Sequence, residues 1–352
     1  MITRALRRVI GRTTRTASRP AFGRAGVAFR HLAAVASAGL LLSGTAACAR
    51  AQTPVTKAVP ATAPARAAAV RTDTVALRRA IDSLVTAYEG AKQGVVGYAV
   101  HNLDTGERLS YRGGETFPTA SLIKVPILVT LFDLVEKKMI ALDDPITMLK
   151  IDQVPGSGQL QHLRPGVTIR VADAARYMIT ISDNTATNLL LDRVALRRVW
   201  EKMEALGLPH TKVHAKVFQR FTSVAMDSSV KYGLGVTTPD EMAALYARLA
   251  RGTAVSPAAD SAMLAIMFQN EDDALLQRYV EGVRAANKTG ATDQVRTECA
   301  LWELQSRVVA CVLTKENRDT RWVLDTEPQL LMARLGKVIT DAWPKRPRAP
   351  QS

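Results

Sequence analysis

Apolar side chains at helical spacing predict an amphipathic helix at each end of the folded region. Between Asp73 and Tyr88, apolar residues recur every three or four positions on one helical face. This face carries Leu77, Ile81, Leu84, Val85 and Tyr88. A similar face near the other end carries Leu330, Leu331, Leu335, Val338 and Ile339. Each face can be buried against another element, so both helices are expected to cover a common core.

Strand patterns lie next to both predicted helices. Residues 94–103 and 107–113 predict two strands, joined by the turn residues Asp104, Thr105 and Gly106. Three more predicted strands precede the last helix, at residues 283–291, 296–304 and 307–315. Strands from both ends of one region imply a single five-stranded antiparallel sheet, flanked by the terminal helices.

The segment between the two groups of strands has mainly helical spacing. One of its helices has both ends marked, with Thr238 as a cap, Pro239 at the first position, Glu241 three residues after the cap and Gly252 at the far end. The expected fold class is therefore α+β, with a second, all-α lobe inserted into the sheet-containing lobe.

Domain boundaries follow from these patterns. We expect an α/β lobe from residues 72–116 and 281–342, an α lobe from residues 117–280, and a basic tail at 343–352. Residues 50–71 are rich in Pro and Ala and predict an extended linker.

The charge of the chain is concentrated at its beginning. The formal net charge is +15, but residues 1–47 hold eight arginines and no acid, so the remainder carries only +7. The first acid is Asp73. The apolar run 32–42 follows the arginines and is too short to span a bilayer, which is typical of an export signal over residues 1–49. The positive charge therefore does not indicate a nucleic-acid partner.

The maturation route stays open at this point. Cleavage after Ala49 or Ala51 would release the protein into the periplasm or the medium, whereas cleavage before Cys48 would leave it lipid-anchored. Thr45, three residues before Cys48, stands where lipoprotein sites usually carry leucine. An uncleaved membrane anchor is the remaining alternative.

The segment TASLIKVPILV, residues 119–129, contains one lysine in an apolar run. Ser121 and Lys124 would share a face if a helix starts at Ser121. Burial lowers the pKa of a lysine, so that Lys124 could accept the proton of the Ser121 hydroxyl. Free N–H groups at the helix start would favour an oxyanion. By itself the pair is better explained by a Ser cap followed by a lysine that extends to water, since S-x-x-K is expected by chance about once in a chain of this size.

Two further motifs make the catalytic interpretation the better one. S-D-N occurs at residues 182–184 and K-T-G at 288–290, and the three motifs together are expected by chance in about one chain in a few hundred. With them, the sequence resembles the penicillin-recognising serine enzymes, most closely the class A β-lactamases, over residues 72–342. The resemblance implies a β-lactamase/transpeptidase-like fold. It also implies a monomeric protein that needs no cofactor.

The resemblance also implies roles for individual residues. Ser121 would attack the lactam carbonyl and Lys124 would take its proton, directly or through water. Ser182, supported by Lys288, would protonate the departing nitrogen. The residues that would bind substrate are Asn184, Thr289, Gly290 and Ala291. Asn184 would hold the side-chain amide of the substrate, and Thr289 together with Lys288 would bind its carboxylate. Gly290 would allow the substrate to approach the strand closely, and the N–H groups of Ala291 and Ser121 would form the oxyanion hole.

One element of the family pattern is missing. Class A enzymes carry a glutamate that activates the deacylating water, two residues after an arginine. Counting back from TTPDEM places that arginine at Arg220 and the glutamate at Thr222. The acid nearest to this place is Asp227. The expected function is an exported serine β-lactamase, with two alternatives: a D,D-peptidase-like or slow acyl-trapping penicillin-binding protein, or a non-hydrolytic protein that binds cell-wall peptides or antibiotics.

Two histidines and two cysteines have spacings that bear on metal binding and on disulfide formation. His210 and His214 have a spacing compatible with zinc, but no Cys or acid accompanies them, so no metal is expected. Cys299 and Cys311 would lie opposite one another if the turn between their strands is centred on Gln305, and a register shift of one residue would separate them. The sequence leaves this disulfide undecided.

Overall fold

The computed structural model describes residues 70–345. The predicted export signal, the lipidation site at Cys48, most of the linker and residues 346–352 lie outside the described residues. Within residues 70–345, no helix combines the length and apolar character that crossing a membrane requires.

Nine α-helices and ten strands make up the described part of the chain. The helices are α1 Thr74–Gly90, α2 Lys124–Glu136, α3 Val171–Thr180, α4 Asn184–Val194, α5 Leu196–Ala205, α6 Met226–Tyr232, α7 Pro239–Arg251, α8 Pro257–Met267 and α9 Glu327–Asp341. The strands are β1 Val95–Asn102, β2 Arg108–Tyr111, β3 Phe117–Pro118, β4 Pro145–Thr147, β5 Thr168–Arg170, β6 Lys212–Val213, β7 Gly235–Thr237, β8 Ala285–Thr292, β9 Val295–Glu303 and β10 Arg307–Lys315.

Five of the strands form the predicted antiparallel sheet, in the order β2-β1-β10-β9-β8. The two strands from the start of the region therefore pair with the three from its end, which confirms the expected fold class. Cys299 and Cys311 are direct partners in the β9–β10 register, and they form a disulfide. The turn centred on Gln305 is thus the one that the chain adopts.

The alternation of side chains along the strands divides the core into two layers. In β1, Val96, Tyr98 and Val100 pack with the apolar faces of α1 and α9, whereas Ala99 points to the opposite layer with the helices of the middle segment. Both faces of the sheet are covered, which explains why its central strands are apolar at nearly every position.

The inserted lobe, residues 117–280, is mainly helical but also contains five of the short strands. The helix start predicted at Thr238 is confirmed: its hydroxyl accepts a hydrogen bond from the Glu241 N–H at 3.1 Å, and Gly252 ends α7 with φ of +72°.

The predicted helix start at Ser121 was wrong by one turn. Residues Ala120–Ile123 form a 3₁₀ helix, and α2 begins at Lys124. Pro126 explains the difference, because it has no N–H to donate to the carbonyl of residue 122 and is tolerated only in the first turn of an α-helix. Ser121 therefore lies on a tight turn that precedes the helix.

Candidate active site

Ser121 lines a cleft of about 460 Å³, together with Asn184, Ala291 and other residues. The turn that carries it is sharp: Ala120, just before it, has φ of +45°, a left-handed conformation that non-glycine residues rarely adopt. Among the hydrogen bonds of residues 70–345, none involves the Ser121 hydroxyl, which leaves this hydroxyl available to a ligand in the cleft.

Lys124 joins two of the three motifs. Its side chain is fully buried, and its Nζ lies 2.7 Å from the Ser182 carbonyl oxygen, 3.1 Å from the Ser182 Oγ and 2.9 Å from the Asn184 Oδ1. The structure therefore excludes a lysine that extends to water. Lys124 is the first residue of α2 and follows Ser121 by three positions.

The environment of Lys124 favours its neutral form. Burial lowers the pKa of its amine well below 10.5, the positive charge of Lys288 lowers it further, and only the carboxylate of Asp183 opposes them. A neutral amine can accept a proton from a hydroxyl, which is the property that the sequence analysis required of this lysine.

The S-D-N motif lies at the start of α4. Ser182 has φ of +55°, and this backbone conformation turns its carbonyl oxygen towards Lys124. Asp183 is the helix cap: its carboxylate accepts hydrogen bonds from the N–H groups of Ala186, Gln159 and Leu160. The middle residue of the motif thus has a structural task, and it fixes the serine and asparagine on either side of it.

The K-T-G motif lies on the edge strand β8. Lys288 is fully buried and donates to the Thr289 carbonyl oxygen at 2.9 Å. Burial lowers its pKa to about 8, although the acids Asp272 and Glu298 oppose this effect. Its positive charge at neutral pH is therefore retained, and it contributes to keeping Lys124 neutral.

Gly290 is the point where the sheet meets the turn of Ser121. A Cβ atom here would lie 2.5 Å from the Thr119 carbonyl oxygen and 2.9 Å from the Leu122 N–H nitrogen, so only glycine fits. Beyond it, Ala291 lines the cleft beside Ser121. The third motif is thereby brought into the same site as the first two.

Thr289 does not line this cleft in the described structure. Its side chain lies in an adjoining cavity of about 290 Å³, which shares Ala291 with the cleft. There its hydroxyl donates to the Asp272 Oδ2 at 2.5 Å. Sequence reasoning missed Asp272, because it belongs to none of the three motifs and lies 16 positions before Lys288, in the segment after α8.

The loop expected to supply the deacylating acid has a different arrangement. Arg220 lines the cleft, but the Thr222 hydroxyl is held within the loop, donating to the Gln219 carbonyl and accepting from the Lys216 N–H. Asp227 is exposed on α6. Of the described residues that line the cleft, none is an acid.

Two further residues of this loop line the cleft and were not predicted as site residues. Lys216 donates to Asp192 at 2.7 Å, and Phe218 is 68% exposed with φ of +55°. No motif marks either residue, since their position depends on how the loop folds over the lobe.

The histidine pair has other partners. The His210 ring lies 2.7 Å from Glu241, and the His214 ring lies 3.1 Å from the Gly233 carbonyl oxygen. Within residues 70–345, no three His, Cys, Asp or Glu side chains are grouped in a way that would hold a metal ion.

Comparison with known proteins shows the family to which the chain belongs. The family model of the beta-lactamase enzyme family matches residues 76–343. The chain belongs to this family. A β-lactamase of Proteus vulgaris is 34% identical over 113 residues, and one of Stenotrophomonas maltophilia is 26% identical over 276 residues, 72% of this chain and 85% of that protein. The Proteus match spans 32% of this chain and only 37% of its relative's length.

Solved structures of the family have the same fold. The β-lactamase of Sphaerobacter thermophilus superposes with a TM-score of 0.67 at 29% identity, covering 75% of this chain and 97% of that one. The protein PBP-A superposes with a TM-score of 0.66 at 27% identity, covering 76% and 95%. A point mutant of PBP-A, at 26% identity and a TM-score of 0.67, was solved as an acyl-enzyme complex with penicillin-G; it covers 76% of this chain and 96% of its own.

Proposed function

We propose that this member of the beta-lactamase family is an exported serine hydrolase that opens β-lactam rings through an acyl-enzyme on Ser121. The observation that carries the proposal is the buried amine of Lys124, whose pKa is held well below its ordinary value by burial and which donates hydrogen bonds to Ser182 and Asn184. A lysine with a purely structural role would not require a nearby serine in the cleft whose hydroxyl has no hydrogen-bond partner among residues 70–345.

Acylation would proceed by transfer of one proton and exchange of one bond. The Ser121 oxygen attacks the lactam carbonyl carbon while its proton passes to Lys124, directly or through water. The carbon–nitrogen bond then breaks, and Ser182, supported by the charge of Lys288, delivers its proton to the nitrogen while Lys124, whose Nζ lies 3.1 Å from the Ser182 Oγ, returns the Ser121 proton to Ser182. The N–H groups of Ser121 and Ala291 stabilise the negative oxygen of the intermediate.

Asn184 has little freedom for its proposed contact with the substrate's side chain. Its Oδ1 accepts from Lys124 and its Nδ2 donates to the Pro155 carbonyl oxygen at 3.0 Å. It lines the cleft, so a substrate amide would share these groups or replace Pro155 as a partner.

One observation favours a second candidate, a slow acyl-trapping penicillin-binding protein. The described lining of the cleft contains the cations Lys216 and Arg220 but no carboxylate to activate the deacylating water. Acylation would then be faster than hydrolysis of the ester. The acyl-enzyme complex of the PBP-A mutant supports the chemistry of the first step, since that protein shares the fold of this chain.

The proposal includes export of the protein from the cell, and it includes a β-lactam or a cell-wall peptide as the substrate. The Cys299–Cys311 disulfide supports it, because disulfides persist mainly in oxidising compartments such as the periplasm or the medium. Whether a lipid anchor at Cys48 retains the protein at the membrane depends on the maturation route.

The decisive experiment mixes the protein with a chromogenic cephalosporin and follows both product and intact mass. We expect a burst of about one product per protein followed by a slow phase, with an adduct on the peptide that contains Ser121. Ser121→Ala is the control and should form no adduct. Sustained rapid turnover would reject the acyl-trapping candidate, and the absence of both adduct and product would reject the proposal as a whole.

A further inference from the structure

The Thr289 hydroxyl already has an anionic partner. Family resemblance assigns Lys288 and Thr289 to the carboxylate of the substrate, yet the hydroxyl donates at 2.5 Å to the Asp272 Oδ2. A carboxylate that arrived at the same hydroxyl would have to displace Asp272 or lie beside its charge. The chain thus carries its own carboxylate at the place where a ligand's carboxylate would bind.

Asp272 is held beside Thr289 by two further hydrogen bonds. Its backbone carbonyl oxygen accepts from the Asn287 amide at 3.1 Å, and its Oδ1 accepts from the Ala274 N–H at 3.2 Å. The segment is therefore attached to β8 at both Asn287 and Thr289. Asp272 nevertheless remains exposed to solvent, so a ligand in the adjoining cavity can reach it.

Two other ionisable side chains lie near the Asp272–Thr289 contact, and neither replaces Asp272 as the partner of the Thr289 hydroxyl. Burial raises the pKa of Glu298 to about 8, so this neighbouring acid is largely uncharged at neutral pH. The Arg296 guanidinium lines the same cavity but donates to the backbone carbonyls of Thr292, Val295 and Arg321. The acid that contacts the Thr289 hydroxyl is Asp272, and its charge also raises the pKa of Lys288.

We propose that Asp272 is a specificity-determining residue that occupies the carboxylate subsite of Thr289 and Lys288, so that the protein selects acyl donors whose group at this position is neutral, such as an ester or an amide. The inference rests on the proposed acylation of Ser121. It concerns the recognition of the substrate and not the chemical step, because Asp272 contacts neither Ser121 nor Lys124.

The test compares two forms of one penicillin, the free acid and its methyl ester. The rate constant for acylation is measured for each by intact mass, with the wild type, Asp272→Asn and Asp273→Asn. Asparagine keeps an acceptor for Thr289 and removes the charge. Asp273 is the adjacent exposed acid and serves as the matched control.

We expect the wild type to react with the ester at least as fast as with the free acid. Asp272→Asn should accelerate the free acid by about tenfold, the effect of removing one like charge near a partly solvated anion, and should leave the ester within about twofold. Asp273→Asn should change neither rate.

Each other outcome overturns the inference. A wild type that reacts faster with the free acid than with the ester contradicts it without any variant, and so does an Asp272→Asn variant that changes both probes equally. If neither probe forms an adduct with the wild type, the proposed function fails as well, which distinguishes the two failures.

Discussion

Replacing Lys288 with methionine should remove a pH-dependent part of the stability of the protein. The lysine is fully buried in the fold, where its pKa is about 8, whereas in the unfolded chain it has the ordinary value of 10.5. Between these two values the unfolded chain binds more protons than the folded one, so the free energy of unfolding rises with pH across this interval. Below about pH 8 the full cost of burying the charge is present.

The size of the effect follows from the two pKa values. Each pH unit contributes about 1.4 kcal/mol per proton, so lowering the pKa from 10.5 to about 8 corresponds to about 3 kcal/mol. Methionine has a similar length and does not titrate. The difference in unfolding free energy between wild type and Lys288→Met should therefore increase by about 3 kcal/mol, in favour of the wild type, over this range.

Urea unfolding at several pH values from about 7.5 to 10.5 measures this difference directly. Lys150→Met is the matched control, since Lys150 is exposed and should give a curve parallel to that of the wild type. Parallel curves for wild type and Lys288→Met would show that the buried lysine does not titrate as described. In that case the account of its effect on Lys124 would also have to be abandoned.

Three further predictions concern the catalytic base, the disulfide and the loop. Lys124→Ala should slow acylation of Ser121 by about 10²-fold or more, and an unchanged rate in stopped-flow measurements would make Lys124 a structural residue. Alanine at both Cys299 and Cys311 should lower the unfolding free energy by about 3 kcal/mol, since the bridge closes a loop with a separation of 12 residues, and an unchanged urea midpoint would contradict this. Asp227→Asn should leave steady-state turnover of a cephalosporin within about twofold, because Asp227 is exposed on α6; a larger fall would identify it as the deacylating base.

The sequence by itself determined the elements of the sheet and named the residues that we propose for catalysis. Alternating and helical apolar patterns are local properties, so β1, β10 and the cap at Thr238 could be predicted from a few neighbouring residues. The three motifs named Ser121 and Lys124 because each is a short run of chemistry-bearing residues.

Tertiary structure decided which distant residues pair and how burial shifts the pKa of the buried lysines. The β9–β10 register placed Cys299 beside Cys311. The lowered pKa of Lys124 depends on complete burial and on the charge of Lys288, which lies 164 positions further along the chain.

The contact between Asp272 and Thr289 has the same origin. Their pairing depends on how the segment after α8 lies along β8, and the pattern of either segment alone carries no trace of it. Burial, charge and hydrogen bonding between distant residues are properties of the folded chain. Motifs can therefore name the residues proposed for catalysis, while the pKa shifts and hydrogen-bond partners of these residues follow only from their packing.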